Sequence, residues 1–476
     1  MRYKPIIGLE IHAQLDTESK MFCSCPNDFG AEPNTHVCPV CLGLPGVLPV
    51  ANKRAIEFVI KTALALHCQV HRHCRFARKN YYYPDMPKNY QISQYEEPLS
   101  TDGWIEIDVN GTTKRVGIIR VHLEEDTGKS FHQPDGSSLE DYNRAGVPLM
   151  EVVSKPDMNS AEEARAYCQA LQSVLRYIGV SNASPELGAM RCESSVNVVD
   201  TETGRKTAIT ELKNLNSFRA VHDSVQYEIA RHIEALERGD TLRRQTRRWN
   251  AEKGITTVMR FKETADEYRY FPDPDLVPMA IGEDWIERIK SQLPELPKER
   301  RDRFVREYGI PEYDAGVLTA TREMADFYEE CVRAGADPKK ASNWLMGDFS
   351  ALLHEAGIGP CESKVSPGGL ADMLALIEDG TISGKIAKDV FAKMFATGKP
   401  PRQIVEEDGL VQITDGAAIE AVVQEVIDEN PRVVEQIRGG KEKAIGSLIG
   451  KVMHKTLGKA NPRMVNEIMR AKLLGR

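Results

Sequence analysis

The sequence predicts an α+β protein: a sheet-based N-terminal domain, then an all-α helical domain, then a small helical C-terminal tail domain. Three observations carry this prediction. Residues 1 to about 290 alternate apolar and polar positions between Gly, Pro, Asn and Asp turns, the period-two signature of strands. After Leu293-Pro294-Glu295-Leu296-Pro297 the apolar period lengthens to that of helices, broken by stretches such as Gly335-Ala336-Asp337-Pro338. The chain has 476 residues, 41% apolar and 28% charged, which is room for several domains and ordinary globular usage. The expected domains are 1–292, 293–405 and 406–476.

The first strand runs Ile7-Gly8-Leu9-Glu10-Ile11-His12-Ala13-Gln14-Leu15-Asp16. Its odd positions are apolar and face a core, so Glu10, His12, Gln14 and Asp16 share the opposite face. A helix is expected over 52–67. Trp104 to Val109, Asn110-Gly111 and Thr113 to Val121 read as a hairpin, because Asn-Gly supplies the positive φ angles that a tight primed turn requires. A second helix covers 160–178, where Ser160 and Glu163 have capping-box spacing. A third covers 218–238 and stops at Gly239. Farther on, Ile386, Val390, Phe391 and Met394, and again Ile445, Leu448, Ile449, Val452 and Met453, fall at helical spacing and read as core stripes.

Charge is unevenly distributed. The net value is −8, yet Arg438 to Arg476 holds ten basic residues against two acidic ones, a local +8. Just before it, Arg402 to Glu429 holds eight acidic residues and one basic. An acidic body with a basic tail leaves a nucleic-acid partner open, which the total alone would argue against. No apolar run reaches the eighteen residues of a membrane span and no leader pattern opens the chain, so a cytoplasmic protein is expected.

Four of the ten cysteines are clustered. Cys23-Ser24-Cys25 and Cys38-Pro39-Val40-Cys41 form two close pairs that bring thiolates to one ion with little loop entropy, pointing to a closed, structural zinc site; four buried thiols are the alternative. His36 lies in the loop between the pairs. Carboxylates near several strand ends, Glu10 beside His12, Glu124-Glu125-Asp126 and Glu151, could converge on a hard divalent cation. Arg72 to Tyr90 interleaves cations with phenols, among them Arg78, Lys79, Tyr82 and Lys88, which suits nucleotide phosphate contact and stacking; a tyrosine-rich core strand reads the same way. Thr127-Gly128-Lys129-Ser130 is not the end of a P-loop, since the first glycine would fall at Leu123.

Taken together, Gly8-Leu9-Glu10-Ile11-His12, Gly30-Ala31-Glu32-Pro33-Asn34, Arg78-Lys79-Asn80-Tyr81, Tyr90-Gln91-Ile92-Ser93-Gln94, Leu123-Glu124-Glu125-Asp126, Glu211-Leu212-Lys213-Asn214-Leu215-Asn216-Ser217-Phe218, Tyr268-Arg269-Tyr270-Phe271-Pro272 and Asn343-Trp344-Leu345-Met346-Gly347 closely resemble the B-subunit family of the tRNA-dependent amidotransferases. The resemblance spans the whole chain. It implies a cradle-like catalytic domain and a tail that grips tRNA. The implied activity is phosphorylation by ATP of the side-chain carboxylate of Glu-tRNA(Gln) or Asp-tRNA(Asn), followed by displacement of the phosphate by ammonia. It also implies Mg²⁺ held by His12, Glu125 and Glu151 with Glu10 and Glu124 beside them, Glu211 in the catalytic set, and tRNA contacts from Lys441, Lys443, Lys451, Lys455 and Lys459. An amidase-family A subunit would supply ammonia and a small C subunit would brace the pair. Zinc at the four cysteines would be structural. Two rivals are a non-catalytic, zinc-stabilised RNA-binding scaffold and a metal-dependent phosphatase or nuclease.

Overall fold

A computed structural model describes residues 2–261, 268–410, 416–439, 444–456 and 460–475. The chain forms two compact units, Met1–Leu296 and Pro297–Arg476. The first contains strands β1 (Tyr3–Gln14), β2 (Gln69–Val70), β3 (His73–Cys74), β4 (Ala77–Asn80), β5 (Tyr90–Ser93), β6 (Ser100–Val109), β7 (Thr112–Glu125), β8 (Lys129–His132), β9 (Ser138–Asp141), β10 (Pro148–Ser154), β11 (Met190–Asp200), β12 (Thr210–Leu215), β13 (Gln245–Asn250), β14 (Ile255–Phe261), β15 (Phe271–Pro272) and β16 (Met279–Ala280). Nine of them build one sheet in the order β14-β13-β12-β11-β1-β10-β7-β6-β2, with β1 at its centre. All its pairs are antiparallel except β12 with β13.

Burial follows the alternation of β1. Ile7, Leu9, Ile11 and Ala13 face the core, while Glu10, His12 and Gln14 face away. On the apolar side lie α1 (Lys53–Ala65), α2 (Ala161–Tyr177) and α3 (Phe218–Arg238), joined to the sheet through residues such as Phe58, Tyr167, Leu171, Val221 and Val225. Each helix starts at a side-chain cap, Asn52, Ser160 or Ser217. The box at Ser160 is only half made: its Oγ accepts from Glu163 N at 3.2 Å, but the Glu163 carboxylate turns to Asn159 N at 2.7 Å and to Lys114. Helix α3 ends as expected at Gly239, whose φ of 81° is left-handed.

Strand β7 holds an irregularity that decides the site. Arg120 pairs with Val153 of β10 and Ile118 with the very next residue, Ser154, so Ile119 is skipped on that side, while the register with β6 runs on unbroken. Val116 and Ile118 face the core before the bulge, Val121 and Leu123 after it. Beyond the bulge, His122 and Glu124 therefore take the polar face.

In the second unit the described secondary structure is helical. Its C-terminal part packs Gly416–Glu429, Pro431–Arg438, Ile445–Lys455 and Pro462–Leu474 around Ile419, Val423, Leu448, Val452, Val465 and Met469. Among the described residues no helix is long and apolar enough to cross a membrane.

Candidate active site and metal centres

The polar face of the large sheet is lined with charge because neighbouring antiparallel strands place paired residues on one side. His12 pairs with Glu151 on β10 and Arg191 on β11, Glu10 pairs with Glu193, and Glu151 pairs with His122. His12 Nε2 lies 3.3 Å from Glu124 Oε1 and 3.8 Å from Glu151 Oε2, and His122 Nε2 lies 3.2 Å from the same Glu151 oxygen. One ligand atom each from His12, Glu124 and Glu151 falls within 4.8 Å of the others. Octahedral Mg²⁺ binds oxygen at about 2.1 Å, which sets adjacent ligands about 3 Å apart, so the trio fits a hard divalent ion.

Burial acts to raise the Glu151 carboxyl, but His122, then His12 and Lys79, hold it well below the usual carboxylate range. Glu10 moves the other way: desolvation, then Glu151, Glu193 and Glu211, push its carboxyl up. Asp126 is buried, which raises its carboxyl, yet Arg191 and Arg144 keep the balance below normal; Arg191 donates to it at 2.6 Å and Gln14 at 3.0 Å.

The structure places a different carboxylate beside His12 and Glu151 from the one expected. Glu125 does not join His12 and Glu151; one step along the strand from Glu124, it points to the opposite side. There Lys88 Nζ sits 2.6 Å from its carboxylate, and Ile92 N donates to it at 2.9 Å. The nucleotide candidates separate too. Arg78 donates to Asp273 at 2.9 Å and Asp275 at 2.8 Å, Lys88 is held by Glu125, and Tyr82 is exposed with its hydroxyl accepting from Arg269. Lys79 Nζ lies 5.0 Å from the Tyr268 ring centroid; burial would lower its ammonium, but Tyr270, Glu124 and Glu151 raise it. Glu211 lies on the same face two strands from β1, opposite Ser195 and 3.6 Å from Arg244. His122 escaped the sequence reading; the Val121 and Leu123 pair of core positions was the signal that could have found it.

The four cysteines do converge. The Sγ atoms of Cys23, Cys25, Cys38 and Cys41 lie within 4.8 Å of one another. A tetrahedral zinc with Zn–S of about 2.3 Å needs them about 3.8 Å apart. A hydrogen bond from Cys23, with help from the Cys38 N–H and Lys20, holds the Cys41 thiol down; the same contact pushes the Cys23 thiol up, and burial pushes Cys25 up to about 11. Lys20 is fully buried; its ammonium donates to the carbonyls of His36 at 2.7 Å and Tyr142 at 3.3 Å and lies 3.7 Å from Cys41 Sγ. Gly43, at φ 66°, passes so close to Lys88 that a Cβ would meet Lys88 Cγ at 2.4 Å. The knuckle thus forms one wall of a cavity of about 100 Å³ whose far side is Lys88 and Glu125.

Of the tail lysines, Lys451 donates to Asn430, and Lys455 sits 2.7 Å from Glu425 and 2.6 Å from Glu429. Lys441, Lys443 and Lys459 lie outside the described residues.

Comparison with known proteins agrees along the whole chain. A family model described as "GatB/GatE catalytic domain" matches residues 5–287, and one described as "GatB domain" matches 326–473. The chain is 54% identical to the B subunit of the aspartyl/glutamyl-tRNA(Asn/Gln) amidotransferase of Moorella thermoacetica, over 99% of its own length and 100% of that protein. It is 50% identical to the protein of the same name from Thermotoga maritima, over the full length of both, and 51% identical to that of Brevibacillus brevis over 99% of each. Matched by both domain models and identical at half or more of its positions to these subunits from end to end, the chain belongs to the GatB/GatE family of amidotransferase subunits.

Proposed function

We propose that this chain is the synthetic subunit of a tRNA-dependent amidotransferase, a carbon–nitrogen ligase of the cytoplasm. It activates the side-chain carboxylate of Glu-tRNA(Gln), Asp-tRNA(Asn) or both with ATP and lets ammonia displace the phosphate. The observation that carries the reading is the convergence of His12, Glu124 and Glu151 on one point of the polar face. These three would hold Mg²⁺, which when bound neutralises phosphate oxygens. Lys79, drawn toward the same carboxylates, supplies a fixed positive charge for the transferring phosphoryl group. His122 fixes Glu151 in place, and Asp126 fixes Arg191 beside His12.

Releasing ammonia from glutamine requires an activated nucleophile, so the reading assigns that step to a partner amidase subunit, with a small third subunit bracing the two. Zinc at the knuckle supports the walls around Lys88 and Glu125 and takes no part in the reaction. Domain 406–476 contributes RNA contacts. The scaffold alternative explains the knuckle and the tail but leaves the arrangement of His12, His122, Glu124 and Glu151 without a purpose.

The test is reconstitution with the amidase and small subunits. Glu124→Gln and Glu151→Gln should each lower ATP-dependent amidation of the aminoacyl-tRNA at least ~100-fold, with glutaminase turnover retained. Near-normal amidation by both variants would dismiss the assignment, and shortened tRNA in place of amidated product would support the nuclease rival.

A further inference from the structure

Beside the metal trio opens a cleft of about 850 Å³, a size that takes a nucleoside. Gln14, Arg191 and Glu193 belong both to its lining and to the polar face, and Arg191 is the cross-strand neighbour of His12. Its rim carries two phenylalanines from different segments, Phe29 at 80% exposure and Phe131 at 41%. Lys129 Nζ lies 4.7 Å from the Phe131 ring centroid, so the stacking surface is the open Phe29 ring together with the uncovered part of Phe131, with a cation at its edge.

The two walls are built as one piece. Phe29 leads into Gly30-Ala31-Glu32-Pro33-Asn34, and Phe131 stands on the β8–β9 hairpin. Asn34 joins them: its N–H reaches Asp141 at 3.1 Å, its amide donates to Glu140 O at 3.0 Å, and its side-chain oxygen accepts from Tyr142 N at 2.8 Å. Asn143 adds the return links, donating to Glu32 O at 2.7 Å and accepting from His36 N at 2.8 Å. The same loop runs on into Cys38 and Cys41, so the metal knuckle anchors the root of the Phe29 wall.

We propose that this cleft seats the 3′-terminal nucleoside of the aminoacyl-RNA. Its base stacks on Phe29 and Phe131, and the esterified amino acid extends past Arg191 to His12, Glu124 and Glu151. The inference rests on the amidotransferase reading, in which the reacting carboxylate hangs from a terminal ribose. That ribose must lie near the trio, and the cleft approaches it through Arg191, which lines the cleft and is the cross-strand neighbour of His12. The Asn34 and Asn143 latch keeps the two walls at a fixed separation, so stacking needs no ordering of loops on binding.

The experiment uses the assembled three-subunit enzyme with Phe29→Ala, Phe131→Ala and the aromatic replacement Phe29→Tyr. Each alanine variant should raise the KM for Glu-tRNA about tenfold, the worth of a base–aromatic stack, while kcat at saturating tRNA and the KM for ATP hold. Phe29→Tyr should restore the KM. A KM for tRNA within twofold of the parent enzyme overturns the proposal. So does a rise in the KM for ATP alone, which would assign the cleft to the nucleotide, and so does loss of assembly, which would make the rim a subunit interface. Failure of the parent enzyme to amidate either aminoacyl-tRNA would instead overturn the functional reading beneath it.

Discussion

Glu124 and Glu125 are adjacent in sequence and serve opposite sides of the sheet. The bulge at Ile119 sets their parity: without the skipped residue, Glu125 would share a face with Glu10 and His12. Each carboxylate is buried with a partner suited to it, histidine for Glu124 and an ammonium for Glu125. Lys20 follows the same logic at the four-cysteine knuckle, which would hold zinc. Four thiolates around a divalent ion leave about two negative charges, and a fully buried ammonium 3.7 Å from Cys41 offsets part of them. Lys20→Met should therefore release zinc to a colorimetric chelator roughly tenfold faster, and lower the melting temperature because the His36 and Tyr142 carbonyls lose their donor. Unchanged zinc release would show that the ammonium only fills space.

At the scale of elements, α3 is fastened to the β12–β14 edge by a buried ionic cluster. Glu228 is fully buried, with Arg231 at 2.7 Å, Arg247 at 3.2 Å and His232 at 3.3 Å; His232 in turn touches Thr207 and Thr210. Burial acts to raise the Glu228 carboxyl, but His232, Arg231 and Thr256 outweigh it and hold it down to about 2. A folded value below the ordinary 4.5 means that this stabilisation is complete above about pH 4.5 and is lost as pH falls toward 2. Its size is about 3 kcal/mol. Glu228→Gln should thus cost about 3 kcal/mol at neutral pH, and its deficit in urea midpoint against the parent should shrink between pH 5 and pH 2. A deficit independent of pH would mean that shape, not charge, fastens the helix.

Over the whole molecule, the charge polarity of the sequence acquires a second meaning. Part of the basic tail is neutralised inside its own helical bundle: Lys455 faces Glu425 and Glu429, and Lys472 lies 2.8 Å from Glu420. If the tail binds tRNA, Lys455→Ala should leave the salt dependence of binding unchanged, whereas Lys441→Ala with Lys443→Ala should flatten the log–log slope by about one unit per lost contact. A filter-binding salt titration reads both; a flattened slope for Lys455→Ala would place that lysine on RNA. Features that depend on near neighbours were legible in the chain alone: the α+β class, the inward face of β1, the Asn110-Gly111 hairpin, the caps at Ser160 and Gly239 and the cysteine quartet. All of these follow from period, turn chemistry or short spacing. Pairings between distant segments came from the tertiary structure, namely Glu124 rather than Glu125 beside His12, His122 behind Glu151, Lys88 against Glu125, Lys20 beneath Cys41 and Asn34 on the β8–β9 hairpin. Those contacts depend on strand order and on one skipped residue in β7, which no local pattern in the chain encodes.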